Sequence, residues 1–500
     1  MESLGLVISS DISPIGLGGF GSVFKFDFIP NMSSKQVVPM AGKEFMINDD
    51  ISSSQGKQQQ DLLYSEFSIN KELAQKDSLN LFFPVMDSLY DMTLYFPTLL
   101  KKSSKNKKYL VPNQNQALFV LVMEYLDFSL QNLMDQVRTS KIRLFLSTRL
   151  KIARNISVAL LSIINSFTHC DLKPQNIMLK SISEERANQL EEQNLERIEL
   201  GFQEFYQVKL IDFGLMVKGN RGDRKCPGTT PSYSPPEYLT KTSQVNFDVF
   251  SLLIIILDME LVNENKNLFG FNYGIYNKVL DRKIILDDNI KSQIKQLGLF
   301  SISKMFWVSK KFKPIFVNRM IFFNSKVEQI LKDYSKNIQM ETLYFLDIEV
   351  MKAIMFATVS VFFNEYSSNH LVLKQVEDLQ TKLSQAKSKL EQQVPDSEEY
   401  RMTSEEIKFY EYSTHLAWNE LSFKSQLVNY CLNNLNSDDF HREPIEDLSD
   451  LLKELIQDFD QDNSKFTQYI REYEAYYSQE EQVLSMTSNK EKENMILIRI

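Results

Sequence analysis

The sequence predicts an α+β protein in which a small β-rich part precedes a larger helical part and a helical C-terminal region. Residues 4–28 alternate in polarity around a glycine-rich turn, which is typical of two strands joined by a tight loop. Helical spacing of apolar residues dominates from Leu130 onward, and beyond about residue 325 the pattern is helical throughout. Together these observations place the strands first and the helices after them.

Length and composition indicate a folded protein of two or three domains. The chain has 500 residues, more than one ordinary domain holds, and its 43% hydrophobic and 24% charged residues exclude an intrinsically disordered chain. A formal net charge of −9 provides no overall attraction to nucleic acid or to an anionic membrane, so neither is expected as a partner.

Cysteine content and apolar runs bear on the cellular compartment. The three cysteines, Cys170, Cys226 and Cys431, are odd in number and widely spaced, which predicts ordinary thiols rather than a disulfide framework or a zinc site. The N-terminus shows no secretory signal, and no apolar run reaches the ~20 residues that a membrane-spanning helix needs. We therefore expect an intracellular protein, cytoplasmic or nuclear, without a membrane segment.

The other elements are predicted in chain order. Helical spacing marks Leu62–Leu73, and the apolar run Leu118–Met123 predicts a buried strand. Residues 182–207 are rich in Glu and Gln and have helical periodicity. Residues 372–390 show a heptad spacing typical of a short coiled coil, although it covers fewer than three heptads. The heptad positions are Val372, Val376, Leu379, Leu383, Ala386 and Leu390.

A glycine-rich segment near the N-terminus has the G-x-G-x-x-G spacing of phosphate-binding loops. It reads Gly16-Leu17-Gly18-Gly19-Phe20-Gly21. Dinucleotide-binding loops share this spacing but open a helix, whereas this segment leads into the strand-like Ser22-Val23-Phe24-Lys25-Phe26. Glycines lack Cβ, so their backbone N–H groups can approach phosphates closely. Taken alone, the segment also fits a plain glycine-rich hairpin.

Two further motifs lie in the middle of the chain. The first is His169-Cys170-Asp171-Leu172-Lys173-Pro174-Gln175-Asn176, and the second is Asp212-Phe213-Gly214. In this order the three motifs resemble those of a eukaryotic protein kinase of the Ser/Thr type, and the resemblance runs from about residue 8 to about 260. It implies a bilobal fold and transfer of the γ-phosphoryl group of ATP, with Mg²⁺, to a protein hydroxyl.

The resemblance also implies a domain organisation. A kinase domain over residues 8–325 would comprise an N-lobe of about 8–125, with antiparallel strands and one helix, and a helical C-lobe of about 126–325. Residues 182–207 would form a solvent-facing insertion in the C-lobe. Residues 326–500 would form a helical C-terminal extension that contains the heptad segment.

Catalytic roles follow from the same resemblance. Lys43, in Met40-Ala41-Gly42-Lys43, would hold the ATP phosphates, and Glu66 from the next helix would position it, with Glu72 as a poorer candidate. Asp171 would accept the proton of the substrate hydroxyl, and Lys173 would steady the γ-phosphate.

Metal-binding and nucleotide-binding residues are implied in the same way. Asn176 and Asp212 would bind Mg²⁺, since amide and carboxylate oxygens suit a hard cation. Backbone groups of Glu124 and Leu126 would contact the adenine edge. The expected nucleotide-binding set is Gly16, Leu17, Gly18, Gly19, Phe20, Gly21, Val23, Ala41, Lys43, Met123, Glu124, Leu126 and Met178.

Three further positions refine the comparison with the family. Cys170 stands where the family has an arginine that pairs with a phosphorylated activation-loop residue, so its absence argues against that mode of switching. Thr230 matches a threonine that Ser/Thr kinases place against the catalytic aspartate and lysine, which favours Ser/Thr acceptors. Asp248 matches the aspartate that anchors the catalytic loop from a buried helix.

Two alternatives to an active kinase remain at this point. One is a pseudokinase or ATP-binding scaffold that acts through the helical C-terminal region. The other gives that region a role of its own, with residues 372–390 binding a helical partner or a second copy of the chain. The complete set of catalytic residues favours the active enzyme.

Overall fold

The computed structural model describes most of the chain outside two long stretches, 92–116 and 263–369. The described residues are 6–7, 14–18, 21–28, 38–47, 53–91, 117–139, 144–201, 204–230, 233–235, 246–260, 262, 370–395, 397–436 and 442–488. Of the sequence-based expectations, Gly19, Phe20 and the domain boundary near residue 325 lie outside these ranges.

The N-terminal lobe is a six-stranded sheet of antiparallel pairs. Its strands are β1 (Leu6–Val7), β2 (Pro14–Gly18), β3 (Gly21–Phe28), β4 (Val38–Ile47), β5 (Met86–Asp91) and β6 (Ala117–Glu124). They run in the order β1-β3-β4-β6-β5, and β2 pairs with β3. Strand β6 is apolar until its last residue and almost entirely buried, as its β-branched and aromatic composition predicts. The predicted antiparallel N-lobe is confirmed.

Helix α1 (Ser54–Lys76) packs beside this sheet. It begins after Ser53, whose side chain accepts a hydrogen bond of 2.9 Å from the Gly56 N–H and so caps the helix. Its buried positions include Leu63, Glu66, Asn70 and Leu73, whose spacing of three and four residues places them on one face. Glu66 is therefore carried on the buried face of α1.

The C-terminal lobe is mainly helical, with short strands near the N-lobe. Its first elements are β7 (Phe128–Ser129), α2 (Leu130–Thr139), α3 (Leu146–Ile163), β8 (Phe167–Thr168), β9 (Ile177–Ile182), α4 (Glu184–Glu192), β10 (Ile198–Gly201), β11 (Glu204–Leu210), β12 (Val217–Lys218) and α5 (Phe247–Glu260). Strands β10-β11-β9-β7 form one antiparallel sheet, and β12 pairs with β8. The bilobal α+β kinase fold predicted from the sequence is thus present.

Helix α5 lies at the centre of this lobe. All of its 14 residues are buried, which suits its apolar sequence. Its two acidic residues near the C-terminal end are neutralised by arginines: Asp258 pairs with Arg138 at 3.1 Å, and Glu260 accepts two bonds from Arg149 at 3.0 Å each. Even so, none of the helices in the described part of the chain is long and apolar enough to cross a membrane.

Three long helices follow in the C-terminal region. They are α6 (His370–Leu390), α7 (Glu398–Asn436) and α8 (Ile445–Ser488). Helix α7 packs against α5, and α8 packs against α3. Their apolar residues belong to the same hydrophobic core as α2, α3 and α5, for example Leu427, Leu448 and Phe459. The described C-terminal helices therefore complete the core of the large lobe.

Polar contacts fix these helices on the large lobe. The Ser157 hydroxyl donates to that of Ser449 at 3.0 Å, and Lys151 pairs with Asp460 at 2.8 Å. Between α7 and α8, the buried Arg442 stacks over the ring of Phe250 at 5.0 Å from its centroid and contacts the backbone of Asn246. This arginine joins the α7–α8 connection to the start of α5.

The heptad segment forms helix α6, which packs along α7 of the same chain. Val376 and Ala386, two of its heptad positions, are buried, and Lys387 pairs with Glu411 of α7 at 2.8 Å. The apolar seam expected to bind a partner is thus covered within the chain at these two positions.

The insertion at residues 182–207 has one exposed and one buried face. Helix α4 exposes its acidic side but buries Ala187 and Leu190, and β10 extends the sheet by pairing with β11. The expectation of a solvent-facing insertion holds for the acidic side alone, because its apolar residues join the lobe. Arg186 also donates to the carbonyl oxygen of Leu79, beyond the end of α1.

Candidate active site

The N-lobe places Lys43 between two carboxylates. Lys43 lies in β4, where its Cα is paired with Val23 of β3 on one side and with Leu121 of β6 on the other. Its Nζ donates to Glu66 Oε1 and to Asp212 Oδ1, each at 2.7 Å. Glu72, the poorer candidate, instead pairs with Lys76 and Lys218. Strand β4, helix α1 and the Asp212 motif therefore meet at one ammonium group.

The protonation of this group follows from burial and charge. Burial would lower the pKa of Lys43, but Glu66 and Asp212 together outweigh it, so the pKa is raised. Burial raises the pKa of Glu66 against the influence of Lys43. For Asp212 burial acts in the same direction, but Lys43 prevails and the pKa is lowered. Lys43 is thus firmly cationic and Asp212 firmly anionic.

Four donors meet at the Asp171 carboxylate, two of them from Thr230 and one each from Lys173 and Asn176. Oδ1 accepts the Thr230 N–H at 2.8 Å and the Thr230 hydroxyl at 2.6 Å. Oδ2 accepts from Lys173 Nζ at 2.7 Å and from Asn176 Nδ2 at 3.3 Å. Lys173 also donates to Thr230 Oγ1 at 2.9 Å. The side chain of Asp171 is therefore held in one orientation beside the segment that contains Thr230.

A buried aspartate holds the backbone of this loop. Asp248, in the first turn of α5, accepts the N–H of His169 at 2.7 Å and the N–H of Cys170 at 3.0 Å. Burial raises the pKa of Asp248, although these donors oppose the increase. Cys170 has a φ of 67°, a left-handed conformation uncommon outside glycine, and the two bonds to Asp248 stabilise it.

The Asp212-Phe213-Gly214 motif is fixed against the same loop. The ring of Phe213 is buried between those of Phe83 and His169, with centroid separations of 5.8 and 5.6 Å. Asp212 itself has a φ of 66°. The Ile211 N–H donates to the Asn176 carbonyl oxygen at 3.0 Å, so the two expected metal ligands, Asn176 and Asp212, lie on adjoining segments.

Strand register brings the expected nucleotide-binding residues of the N-lobe to one face of the sheet. Val23 is paired with Lys43, and Ala41 with Met123. Directly paired residues project on the same side, as do residues two apart in a strand, so all four share a face. In the glycine loop, Gly16, Leu17, Gly18 and Gly21 form the end of the β2–β3 hairpin, where Gly18 pairs with Gly21.

The link between the lobes contains a charge network that the sequence analysis missed. Lys209 of β11 is fully buried, and its Nζ donates to Glu124 Oε2 at 2.8 Å, to the Phe83 carbonyl oxygen at 3.1 Å and to Asn80 Oδ1. Lys180 Nζ bonds the other oxygen of Glu124. A lysine between apolar residues of a strand, Val208-Lys209-Leu210, is the sequence signal that could have indicated it.

This network shifts the pKa values of Lys209 and Glu124 and holds Glu124 in position. Burial lowers the pKa of Lys209 to about 8 in spite of Glu124. Burial would raise the pKa of Glu124, but Lys209 and Lys180 lower it overall. The Glu124 N–H donates to the Val85 carbonyl oxygen at 2.8 Å, so this N–H is not available to adenine. Leu126 is buried and Met178, on β9, is partly buried.

The expectation that Cys170 and Cys226 are ordinary thiols is wrong: they form a disulfide. The cysteines are 56 positions apart in sequence, but the fold brings their Cα atoms to 5.5 Å, within the range that a disulfide requires. Spacing alone does not reveal this proximity, because it arises where the activation segment folds back against the catalytic loop. Cys431 is a free, buried thiol.

The donor set suits magnesium held jointly with a phosphate ligand. Among the described residues, no cluster of three or more His, Cys, Asp or Glu side chains could hold a metal ion. Asn176 donates its Nδ2 to the main-chain oxygen of Asp171 at 2.9 Å, which leaves its amide oxygen as the candidate ligand. One amide and one carboxylate match the way Mg²⁺ binds through few protein groups and substrate phosphates.

Comparison with known proteins adds one finding to this geometry. The family model described as the protein kinase domain matches residues 10–296, more than half of the chain. A search among curated proteins finds no match.

Proposed function

Because this chain belongs to the protein kinase family, a family of phosphoryl-transfer enzymes, we propose that it is an active Ser/Thr kinase. It would transfer the γ-phosphoryl group of ATP to a serine or threonine hydroxyl of a protein. The observation that carries this proposal is a continuous set of contacts across the site. Lys43 bridges Glu66 and Asp212, while Lys173 and Thr230 converge on Asp171.

Asp171 is the proposed catalytic base. Its carboxylate is oriented by Thr230, Lys173 and Asn176, which reduces the conformational freedom that would have to be lost during reaction. A substrate hydroxyl placed beside this carboxylate would hydrogen-bond to it, which directs the oxygen lone pair at the phosphorus. As the oxygen–phosphorus bond forms, Asp171 accepts the hydroxyl proton.

Lys43 and Lys173 are the proposed phosphate-binding cations. Phosphoryl transfer is catalysed mainly by positioning and by electrostatic stabilisation of the transferred group. Lys43 has a raised pKa and is fixed by two carboxylates, so it provides a positioned charge on the N-lobe side. Lys173 provides a second charge next to the base.

Asn176 and Asp212 are the proposed magnesium ligands. When bound, Mg²⁺ neutralises phosphate charge and stabilises the charge that develops on the leaving oxygen. The protein contributes the adjoining positions of the two ligands, joined by the bond between Ile211 and Asn176. Asp212 has a lowered pKa, which keeps it in the anionic form that a cation requires.

The choice of Ser/Thr acceptors rests on Thr230. Its hydroxyl contacts both Asp171 and Lys173, so the segment that carries it passes directly beside the base. A threonine at this contact is what the resemblance to Ser/Thr kinases implies, so serine and threonine are the proposed acceptors. Phosphoamino-acid analysis of the product tests this part of the proposal separately.

The test compares the protein with its Asp171→Asn variant in transfer of labelled phosphate from ATP and Mg²⁺ to a protein mixture. We expect transfer by the parent and a loss of at least about 10²-fold in the variant, the low end of what a catalytic base contributes. Asp378→Asn, an equal change at an exposed position of α6, serves as the control and should transfer normally.

Nucleotide binding distinguishes the remaining outcomes. Apparent melting temperatures are measured with ATP and with ATP plus Mg²⁺, because a ligand that binds only the native state raises stability. Binding without any transfer by the parent would contradict the proposal and favour an ATP-binding scaffold. Transfer at equal rates by the parent and Asp171→Asn would contradict the role of Asp171.

A further inference from the structure

We propose that the Cys170–Cys226 disulfide is a redox switch that holds the activation segment in its substrate-binding position, so that reduction by a dithiol lowers kinase activity. This inference rests on the proposed function. It concerns how the site is controlled, and part of its test does not require catalysis.

The two cysteines lie next to the catalytic groups in sequence. Cys170 immediately precedes Asp171, and Cys226 is four residues before Thr230. The bond therefore ties the loop that carries the base to the segment whose Thr230 contacts that base. A covalent link at this place restricts the position of Thr230 relative to Asp171 and Lys173.

The link occupies the position where the family resemblance implies an arginine. An arginine there would hold the activation segment through a phosphate group. A cysteine carries no cation and cannot bind phosphate in this way. The disulfide supplies a connection between the same two segments, and its formation depends on oxidation instead of phosphorylation.

The other contacts of the activation segment given by the described residues are non-covalent. Arg221 Nη2 donates to Asn246 Oδ1 at 3.1 Å, and Arg224 Nη2 donates to the Ile164 carbonyl oxygen at 2.5 Å. Both arginines lie on the N-terminal side of Cys226. The disulfide lies between these arginines and Thr230 in sequence, four residues before Thr230.

The surroundings favour reversible chemistry at Cys226. The pair packs against Phe247, with Leu215 and Val217 beside it. Cys170 is completely buried, whereas Cys226 retains 8% of its surface and follows Arg224 and Lys225 in sequence. Cys226 is therefore the more accessible of the two cysteines, and attack by a reductant is expected at its sulfur.

The redox step is balanced with a dithiol as reductant. One thiolate of the dithiol attacks Sγ of Cys226, the Cys170–Cys226 bond breaks, and Cys170 leaves as a thiolate that takes up a proton. The second thiolate of the reductant then closes its own disulfide and releases Cys226. The protein disulfide gains two electrons and two protons, and the dithiol loses them; an oxidised dithiol reverses the step.

The third cysteine provides a matched control. Cys431 is fully buried in the core that α7 shares with the large lobe, and burial raises the pKa of its thiol well above its ordinary value. It is thus a poor nucleophile and lies outside the disulfide. Cys431→Ala removes one thiol without affecting the link, whereas Cys226→Ala removes the link.

The experiment treats the full chain with dithiothreitol and then with oxidised dithiothreitol, and free thiols are counted at each stage in samples freed of reagent and unfolded in denaturant, so that the buried Cys431 is included. We expect one free thiol before reduction, three after it, and one again after reoxidation. Phosphate transfer should fall at least tenfold on reduction and return on reoxidation. Cys226→Ala should transfer phosphate at the rate of the dithiothreitol-treated parent, and dithiothreitol should not change this rate. Cys431→Ala should respond to dithiothreitol like the parent.

Trypsin provides a readout independent of activity, since Arg221, Arg224 and Lys225 flank Cys226. Reduction should accelerate cleavage at these sites at least tenfold and leave the MgATP-induced rise in melting temperature intact. An unchanged transfer rate or cleavage rate in a fully reduced protein would overturn the proposed switch. It would also be overturned if three free thiols remained after treatment with oxidised dithiothreitol. If the oxidised protein transfers no phosphate, the proposed function fails, and the cleavage rate alone decides whether the link holds the segment.

Discussion

Two buried lysines, Lys43 in the N-lobe and Lys209 in the large lobe, differ sharply although each bonds a glutamate. Lys43 has two carboxylates to itself and a raised pKa. Lys209 has one carboxylate, Glu124, which it shares with Lys180, and burial lowers its pKa to about 8. Both lysines are buried, which lowers a lysine pKa. Two bonded carboxylates outweigh burial at Lys43, whereas one shared carboxylate does not outweigh it at Lys209.

The two lysines also differ in which elements their partners belong to. Lys43 is fixed by carboxylates that belong to different elements, and Asp212 is in addition a candidate metal ligand. Lys209, on β11 of the large lobe, contacts Asn80 and Phe83 between α1 and β5 and Glu124 at the end of β6. We infer that Lys43 acts on the substrate and that Lys209 keeps the connection between the lobes in place.

The largest effect is expected from Lys43→Met. Loss of this cation leaves Glu66 and Asp212 without their common partner, which should reduce phosphate transfer by about 10²-fold or more. Breaking a buried ion pair from one side also costs about 3 kcal/mol of unfolding free energy. Transfer assays and urea denaturation measure the two effects. Lys57→Met, at an exposed position of α1, should change neither, and an unimpaired Lys43→Met enzyme would contradict the role of Lys43.

A pH-dependent effect is expected from Lys209→Met. In the parent, burial lowers the pKa of Lys209 in the folded state to about 8, from its ordinary value of 10.5. The unfolded chain therefore binds more protons between these values, so this group makes stability rise with pH across that interval. The parent should gain about 3 kcal/mol relative to the variant between pH 8 and 10.5. Urea denaturation at several pH values checks this.

Parallel profiles of unfolding free energy against pH for the parent and Lys209→Met would contradict this prediction, because Lys209 would then have an ordinary pKa. Transfer activity offers a second contrast with Lys43. Since Lys209 touches no residue of the Asp171 set, Lys209→Met should lower transfer by less than about tenfold, far below the effect of Lys43→Met.

The smallest effect is expected from Ser53→Ala at the start of the helix that carries Glu66. Its hydroxyl caps α1 through the Gly56 N–H, and loss of such a cap costs about 1 kcal/mol. Glu66 lies more than three turns further along, so phosphate transfer should change less than about twofold. Chemical denaturation measures the difference, with the exposed Ser54→Ala as the control. A large loss of activity would show that the helix end controls the Lys43–Glu66 pair.

The candidate site residues came from the family resemblance, because each motif is a short continuous segment that can be matched in sequence. Lys43 and Glu66 were selected in this way, and the structure brings their side chains together, while their roles remain a prediction. The antiparallel N-lobe and helical C-lobe were predicted correctly, because period-two and period-3.6 patterns reflect burial on one face.

Contacts between distant segments could not be predicted. Lys209 was missed because a lysine in a strand normally faces solvent, and only the convergence of Asn80, Phe83 and Glu124 explains its burial. The disulfide was missed because cysteine spacing carries no information on tertiary proximity. The helical spacing beyond about residue 325 predicted helices there, but not that α3 provides the surface against which α8 packs.

The packing of α8 on α3 also has a consequence for synthesis. Ser157 and Ser449, which touch in the finished protein, are separated by 292 residues. At ribosomal rates of about 5–20 residues per second, the apolar side of α3 emerges roughly 15–60 s before the helix that covers it. During that interval the nascent large lobe exposes an apolar surface that the finished protein buries, and such surfaces promote aggregation.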